Sequence, residues 1–195
     1  MRITALVLIA TLLVVVALAS ACETTVTSGG TTRYNNDEYG FSFEIADRFE
    51  QADDVSDLQA AAPNADFQVG FFNLDGATVN DTALEGLAVR VFKLNTEVTP
   101  DLMPQFKKEI QTGIDQLAAA DPSMTAGPLS DTTVNGLPGL TYEFASTTGN
   151  VRLKTREYFL VDGATEYEIV MQSAEDSWVE NEPDLQKAAD SFKVK

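Results

Sequence analysis

The chain has no histidine and a single cysteine, Cys22, and cations are scarce: 13 Lys and Arg stand against 30 Asp and Glu. Each shortage excludes a class of function. Without imidazole no Ser-His or Cys-His nucleophile system can be assembled, and a zinc centre loses its commonest nitrogen ligand. One cysteine forms no internal disulfide, so the fold rests on its apolar core. A formal net charge of −17 repels nucleic acid and anionic lipid headgroups, and nucleic acid is therefore not an expected partner. Neutral, cationic or metal-bridged partners remain, although acidity by itself also keeps an exported domain soluble.

What is present begins with the N-terminal stretch MRITALVLIATLLVVVALASAC. Arg2 precedes an apolar run from Ile3 to Leu18, then small residues, which is the three-part layout of an export signal. A transmembrane anchor is the competing reading, since the run approaches the roughly 18 apolar residues at which spanning begins. The residues Ala19-Ser20-Ala21-Cys22 decide between them, because they resemble the lipobox of bacterial lipoproteins. That resemblance implies cleavage after a signal peptide of residues 1–21 and diacylation of Cys22. Two acyl chains anchor stably where one binds only marginally. The expected location is extracytoplasmic, at the cell membrane, with the lipid as the membrane contact.

Residues 22–33 comprise the lipidated cysteine and a Thr-, Ser- and Gly-rich stretch with little to bury, expected as a flexible tether. Residues 34–195 are then expected as one globular domain. Apolar alternation at residues 40–45 and the apolar run Phe67 to Phe72 predict strands, as does the longer run over 86–95. Thr99-Pro100-Asp101 predicts a helix start, and Leu102, Phe106, Ile110, Ile114 and Leu117 recur at helical spacing up to Asp121-Pro122. This stripe is expected to pack on the protein's own sheet. Asn135-Gly136, Gly149-Asn150 and Asp162-Gly163 mark turns, so residues 125–173 are expected as a four-stranded antiparallel meander. The C-terminal stripe of Trp178, Leu185, Ala189 and Phe192 contains Pro183, which predicts a short turn near 176–180 and a main helix from about Glu182 to Ser191.

The last hairpin has two registers. A two-residue turn at Asp162-Gly163 places Lys154 and Arg156 on the face of Tyr167, Ile169 and Met171; a three-residue turn that includes Ala164 flips the strand and places them beside Glu166 and Glu168. The second is the expected register, at the cost of Glu157 on an apolar face. Arg152, Lys154 and Arg156 then form a basic stripe, with Arg90 nearby, that is either a partner or anion contact or a set of cross-strand pairs with Glu166, Glu168 and Glu143.

Three stretches, in this order, carry a resemblance to a family: Glu38-Tyr39-Gly40-Phe41-Ser42-Phe43, then Tyr158 to Gly163 with Tyr167 to Met171, then Ser191-Phe192-Lys193-Val194. Together they resemble the PsbP-like group, which includes DcrB-type envelope lipoproteins. The resemblance implies an α+β fold, an α/β/α sandwich with a central antiparallel sheet. It also implies a non-enzymatic binding or assembly module for an envelope component, with an envelope protein as partner. No catalytic residue, metal ligand set or cofactor is assigned. The alternatives are a lipoprotein binding a small solute, in a cavity lined by residues such as Tyr142, Tyr158 or Trp178, or a divalent cation, and a carboxylate-based hydrolase using Asp53, Asp54 or Asp57.

Overall fold

The computed structural model describes residues 23–28, 30–54 and 56–195. The expected signal peptide and Cys22 lie outside the described residues. The chain opens with strands β1 (Glu23–Ser28), β2 (Thr31–Asn36), β3 (Phe41–Ala46) and β4 (Glu50–Gln51), then helix α1 (Ser56–Ala61). Strand β5 (Phe67–Phe72), the small hairpin β6 (Thr78–Val79) and β7 (Thr82–Ala83), and β8 (Gly86–Lys93) lead to helix α2 (Met103–Ala120). There follow β9 (Thr125–Ala126), β10 (Ser130–Val134), β11 (Leu137–Thr148), β12 (Val151–Asp162) and β13 (Thr165–Ala174). A 3-10 turn (Glu175–Ser177), helix α3 (Trp178–Ser191) and β14 (Lys193–Val194) close the chain.

The fold is α+β. A central antiparallel sheet runs β10-β11-β12-β13-β8-β5-β4, and its first four strands are the expected meander. Asn135 and Gly136 adopt φ of 48° and 89°, the left-handed pair of a tight two-residue hairpin. A second sheet, β1-β2-β3-β14, lies with α3 over one face of the central sheet. Helix α2 covers the other face, where Phe106 and Ile114 meet Leu140, Tyr142, Phe159 and Val161.

Three expectations are corrected. Residues 23–33 are not a tether: β1 pairs with β2 from Glu23 opposite Asn36 to Ser28 opposite Thr31. The threonines are β-branched strand formers, and Gly30 at φ 86° turns the chain. Helix α3 starts at Trp178 and is continuous through Pro183, rather than starting near Glu182 after a separate turn. Pro183 lies close enough to the helix start that its missing N–H leaves only the Val179 carbonyl without its helical donor, and Val179 is 83% exposed.

The third correction concerns register. The turn is the two residues Gly163-Ala164, closed by Asp162 opposite Thr165, with Gly163 at φ 58°. Leu160 therefore faces Tyr167, Tyr158 faces Ile169, and Arg156 faces Met171. Lys154 and Arg156 thus share the α3 face with the apolar residues, and the expected flipped strand is wrong. A loop of two residues matches the right-handed twist of both strands without a bulge. The cations are tolerated on that face because Glu143 of β11 and Glu182 of α3 supply carboxylates to them.

Candidate functional site

The same register sets the chemistry of the opposite face. Glu168 on β13 lies between Phe159 of β12 and Arg90 of β8, and Val161 opposes Glu166, which opposes Phe92. Tyr142 on β11 pairs with Glu157 on β12. Side chains alternate across a strand, so Arg90, Tyr142, Glu157, Glu166 and Glu168 all project beneath α2. Helix α2 does not fill this face. A cleft of about 370 Å³ has Arg90, Tyr142, Glu157 and Phe159 on its floor and Ile110 and Leu117 on its wall. An adjoining cleft of about 290 Å³, reaching Glu166 and Lys93, shares Glu109 and Ile110 with it. Gly113 lines the larger cleft from mid-helix, and a Cβ added there would meet nothing within 4 Å.

In the floor of the cleft, Arg90 Nη1 donates to Glu168 Oε1 at 2.8 Å, with 13% and 10% of the two side chains exposed. Arg90 Nε is buried and has no hydrogen-bond partner. The Tyr142 hydroxyl bonds to the Glu157 carboxyl, whose pKa is pushed up to about 8 by burial first and then by the charge of Glu168; the Tyr142 bond and Arg90 pull it down. Burial and Glu168 likewise push Glu166 up to about 8. Burial raises Glu168 as well, against the opposing pull of Arg90. The Tyr142 hydroxyl is driven far above its ordinary range by burial and by Glu157. The Glu157 and Glu166 carboxyls therefore hold a proton more tightly than an exposed glutamate, and in that form can donate a hydrogen bond.

The basic stripe lies on the other side of the sheet. Lys154 Nζ is 3.1 Å from Glu143 Oε2 and 4.7 Å from the centre of the Trp178 ring. Arg156 is bonded to Glu143, lies 3.0 Å from Glu182, and sits 5.7 Å from the same ring. Arg152 Nη1 donates to the Ser123 carbonyl at 2.8 Å and lies 3.9 Å from Glu175. Burial acts to raise Glu143, but hydrogen bonds from Arg156 and Lys154 outweigh it and hold its pKa low. Glu143 was an expected partner; Glu166 and Glu168 were not reached, because the register carries them to the α2 face. Arg90 is there too, away from the stripe.

The other candidates disperse. Tyr142 lines the cleft, whereas Tyr158 donates to Gln186 Oε1 at 3.0 Å and Trp178 is buried beside the cations, both on the α3 face. Asp53 and Asp54 are exposed, and Asp54 accepts from the Ser56 N–H at 2.8 Å at the start of α1. That bond holds the Asp54 pKa low. The Asp57 side chain lies outside the described residues. Among the described residues no group of three Asp, Glu, His or Cys side chains is placed to hold a metal ion. Sequence reasoning missed Glu157, Glu166 and Glu168 as one site. The available signal was a glutamate at an apolar-face position that no pairing explained.

No protein-family model matches the chain, and no curated protein matches it. Solved structures do. The solution structure of cyanobacterial PsbP (CyanoP) from Synechocystis sp. PCC 6803 superposes with a TM-score of 0.58 at 17% identity, covering 87% of this chain and 95% of that one. LpqN of Mycobacterium tuberculosis, described as involved in cell envelope biogenesis, superposes with a TM-score of 0.54 at 9% identity, covering 90% of this chain and 92% of that one. Identities this low speak to the fold alone: a central antiparallel sheet between helices, built as in PsbP.

Proposed function

We propose that this chain is a lipid-anchored, extracytoplasmic binding module of the cell envelope that takes a small solute in the cleft beneath α2 and catalyses no reaction. The cleft is the observation that carries the reading: about 370 Å³ of space with apolar walls and a few convergent polar groups, on a face of the sheet that α2 covers only in part. The anchor rests on the small residues that lead to Cys22, and the envelope setting on the likeness of fold to LpqN. Two measurements test the proposal. Acyl labelling with membrane fractionation should place the native protein in the membrane and release a Cys22→Ala form; an unlabelled, soluble native protein would overturn the anchor. A thermal-shift screen of small solutes should find ligands whose stabilisation disappears in Gly113→Leu, which fills the cleft. Stabilisation that survives Gly113→Leu would place the site elsewhere. The envelope protein that this module serves is sought by cross-linking the anchored protein in its own cells, beside Cys22→Ala.

A further inference from the structure

We infer that the cleft beneath α2 recognises an organic cation: a protonated amine on an apolar stem. The inference rests on reading the cleft as a ligand site and assigns the class of ligand. Two observations define that class. First, the titratable groups facing the cleft are Glu157 from β12, Glu168 from β13, Glu109 from α2, Arg90 from β8 and Tyr142 from β11; the stretch Ala61-Ala62-Pro63-Asn64 on the remaining rim adds none. Three carboxyls thus face one guanidinium, and that guanidinium is already bound to Glu168. Glu157 lies opposite Tyr142 on the floor of the cleft and, among the described residues, makes no salt bridge, so it is a carboxyl that a ligand ammonium can ion-pair with. The adjoining cleft repeats the balance, with Glu166 and Glu97 against Lys93.

An anionic group would lie beside Glu157 and Glu168 and is disfavoured there. Second, the cleft is walled by Phe159, Phe92, Ile110 and Leu117. Leu117 belongs to the apolar stripe of α2 yet is 57% exposed, and it offers the stem a surface that the protein itself leaves uncovered.

Burial keeps Glu157 protonated near neutrality, so ammonium binding must displace its proton. The carboxyl O–H bond breaks, the proton leaves to solvent, and the carboxylate pairs with the ammonium. Affinity therefore rises with pH between about pH 6 and pH 8, by up to about tenfold per pH unit for one proton displaced, while the amine keeps its own proton.

The probes are aminohexanol, hexanediol and hexanoate, titrated into the full folded domain with backbone resonances followed by NMR. Aminohexanol should shift resonances around Arg90, Glu157 and Ile110, with the stated pH slope; hexanediol and hexanoate should bind at least about tenfold more weakly. Glu157→Gln should lose the pH slope and weaken aminohexanol about tenfold, and Gly113→Leu should abolish its binding. A merely structural role for Glu157 would not produce the slope, and the native protein measures it even if the variant fails to fold. Equal or tighter binding of hexanediol or hexanoate in the cleft would overturn the cation assignment while leaving the solute-binding reading standing. The absence of any shift with aminohexanol would overturn the assignment too, and the solute screen then decides the fate of the broader reading independently.

Discussion

The two faces of the central sheet are made by the same strands, residue by alternate residue, and they are different materials. Toward α3 and the second sheet, Tyr34, Phe41, Phe43, Phe71, Tyr167 and Phe192 pack as a dry aromatic cluster, with Phe41 centred 5.4 Å from Phe192 and 6.0 Å from Tyr167. Toward α2, Arg90, Glu157, Glu166 and Glu168 stand among the rings of Phe92, Tyr142 and Phe159, and the helix leaves a cleft above them. The first face is where stability is concentrated, because aromatic burial removes large apolar areas from water at full packing density. The second carries buried and half-buried charged groups at that cleft. The period of two along each strand keeps the aromatic cluster and the cleft on opposite sides of one sheet.

That contrast is open to breaking, most sharply on the dry face. Phe41→Ala removes a fully buried ring with several aromatic neighbours and should cost about 3–5 kcal/mol in denaturant unfolding. Phe159→Ala, beside the cleft, should cost clearly less, since its surroundings can relax into existing space. Equal losses would erase the distinction between the faces.

Arg90→Met tests the wet face next. It strands Glu168 without its cation, and because each side chain keeps about a tenth of its surface in solvent the loss should be about 3 kcal/mol, near the low end for a broken buried pair. The double variant Arg90→Met with Glu168→Leu should recover most of it. If Arg90→Met alone is harmless, the pair is solvated and the floor of the cleft is not the low-dielectric site described.

A smaller effect separates the faces by pH. The folded-state pKa of Glu157 is about 8, raised above the ordinary carboxylate range, so the folded protein holds the proton more tightly than the unfolded chain. The contribution is complete below the unfolded value and is lost as pH rises through the folded one. Stability of the native protein should therefore fall from about pH 5 to pH 8, and Glu157→Gln should flatten that fall by about 1–2 kcal/mol at the upper end. Glu143, shifted downward, acts below this window. A stability profile unchanged by Glu157→Gln would show that its carboxyl is solvated.

The smallest expected effect is a gain. Gly113→Ala places a methyl group in open space within the interior of α2 and should stabilise by about 0.5–1 kcal/mol through helix propensity alone, measured as a raised midpoint of unfolding. A loss would mean that α2 approaches the sheet more closely than the cleft implies.

Much of the scaffold was legible in the sequence because it is written in local codes. Period-two alternation marked β3 and β8, an apolar run marked β5, the Asn135-Gly136 turn marked the β10–β11 hairpin, and helical spacing marked α2. Even there the helix start slipped: Thr99 forms a preceding turn, accepting from the Leu102 and Met103 N–H groups, and Leu102 occupies the cap. The site was not legible. Glu157 comes from β12, and Glu166 and Glu168 from β13; whether Glu157 shares their face depends on the parity of one hairpin, which Gly163 and Ala164 set between them. Reading that turn as three residues put Lys154 and Arg156 beside Glu166 and Glu168 and carried Glu157 to the opposite face.

The sequence by itself determined the main strands and helices, the acidity of the surface, the exclusion of histidine chemistry and the lipobox-like approach to Cys22, since each depends on residue type and short-range spacing. Only the tertiary structure decided that the N-terminal threonines pair as a strand, that Lys154 and Arg156 are engaged by Glu143 and Trp178, and that three carboxyls and one arginine meet beneath α2. Local spacing sets which way a side chain alternates but not which neighbour it meets. That neighbour is chosen by strand pairing across many residues of chain, where a shift of one position exchanges the two faces.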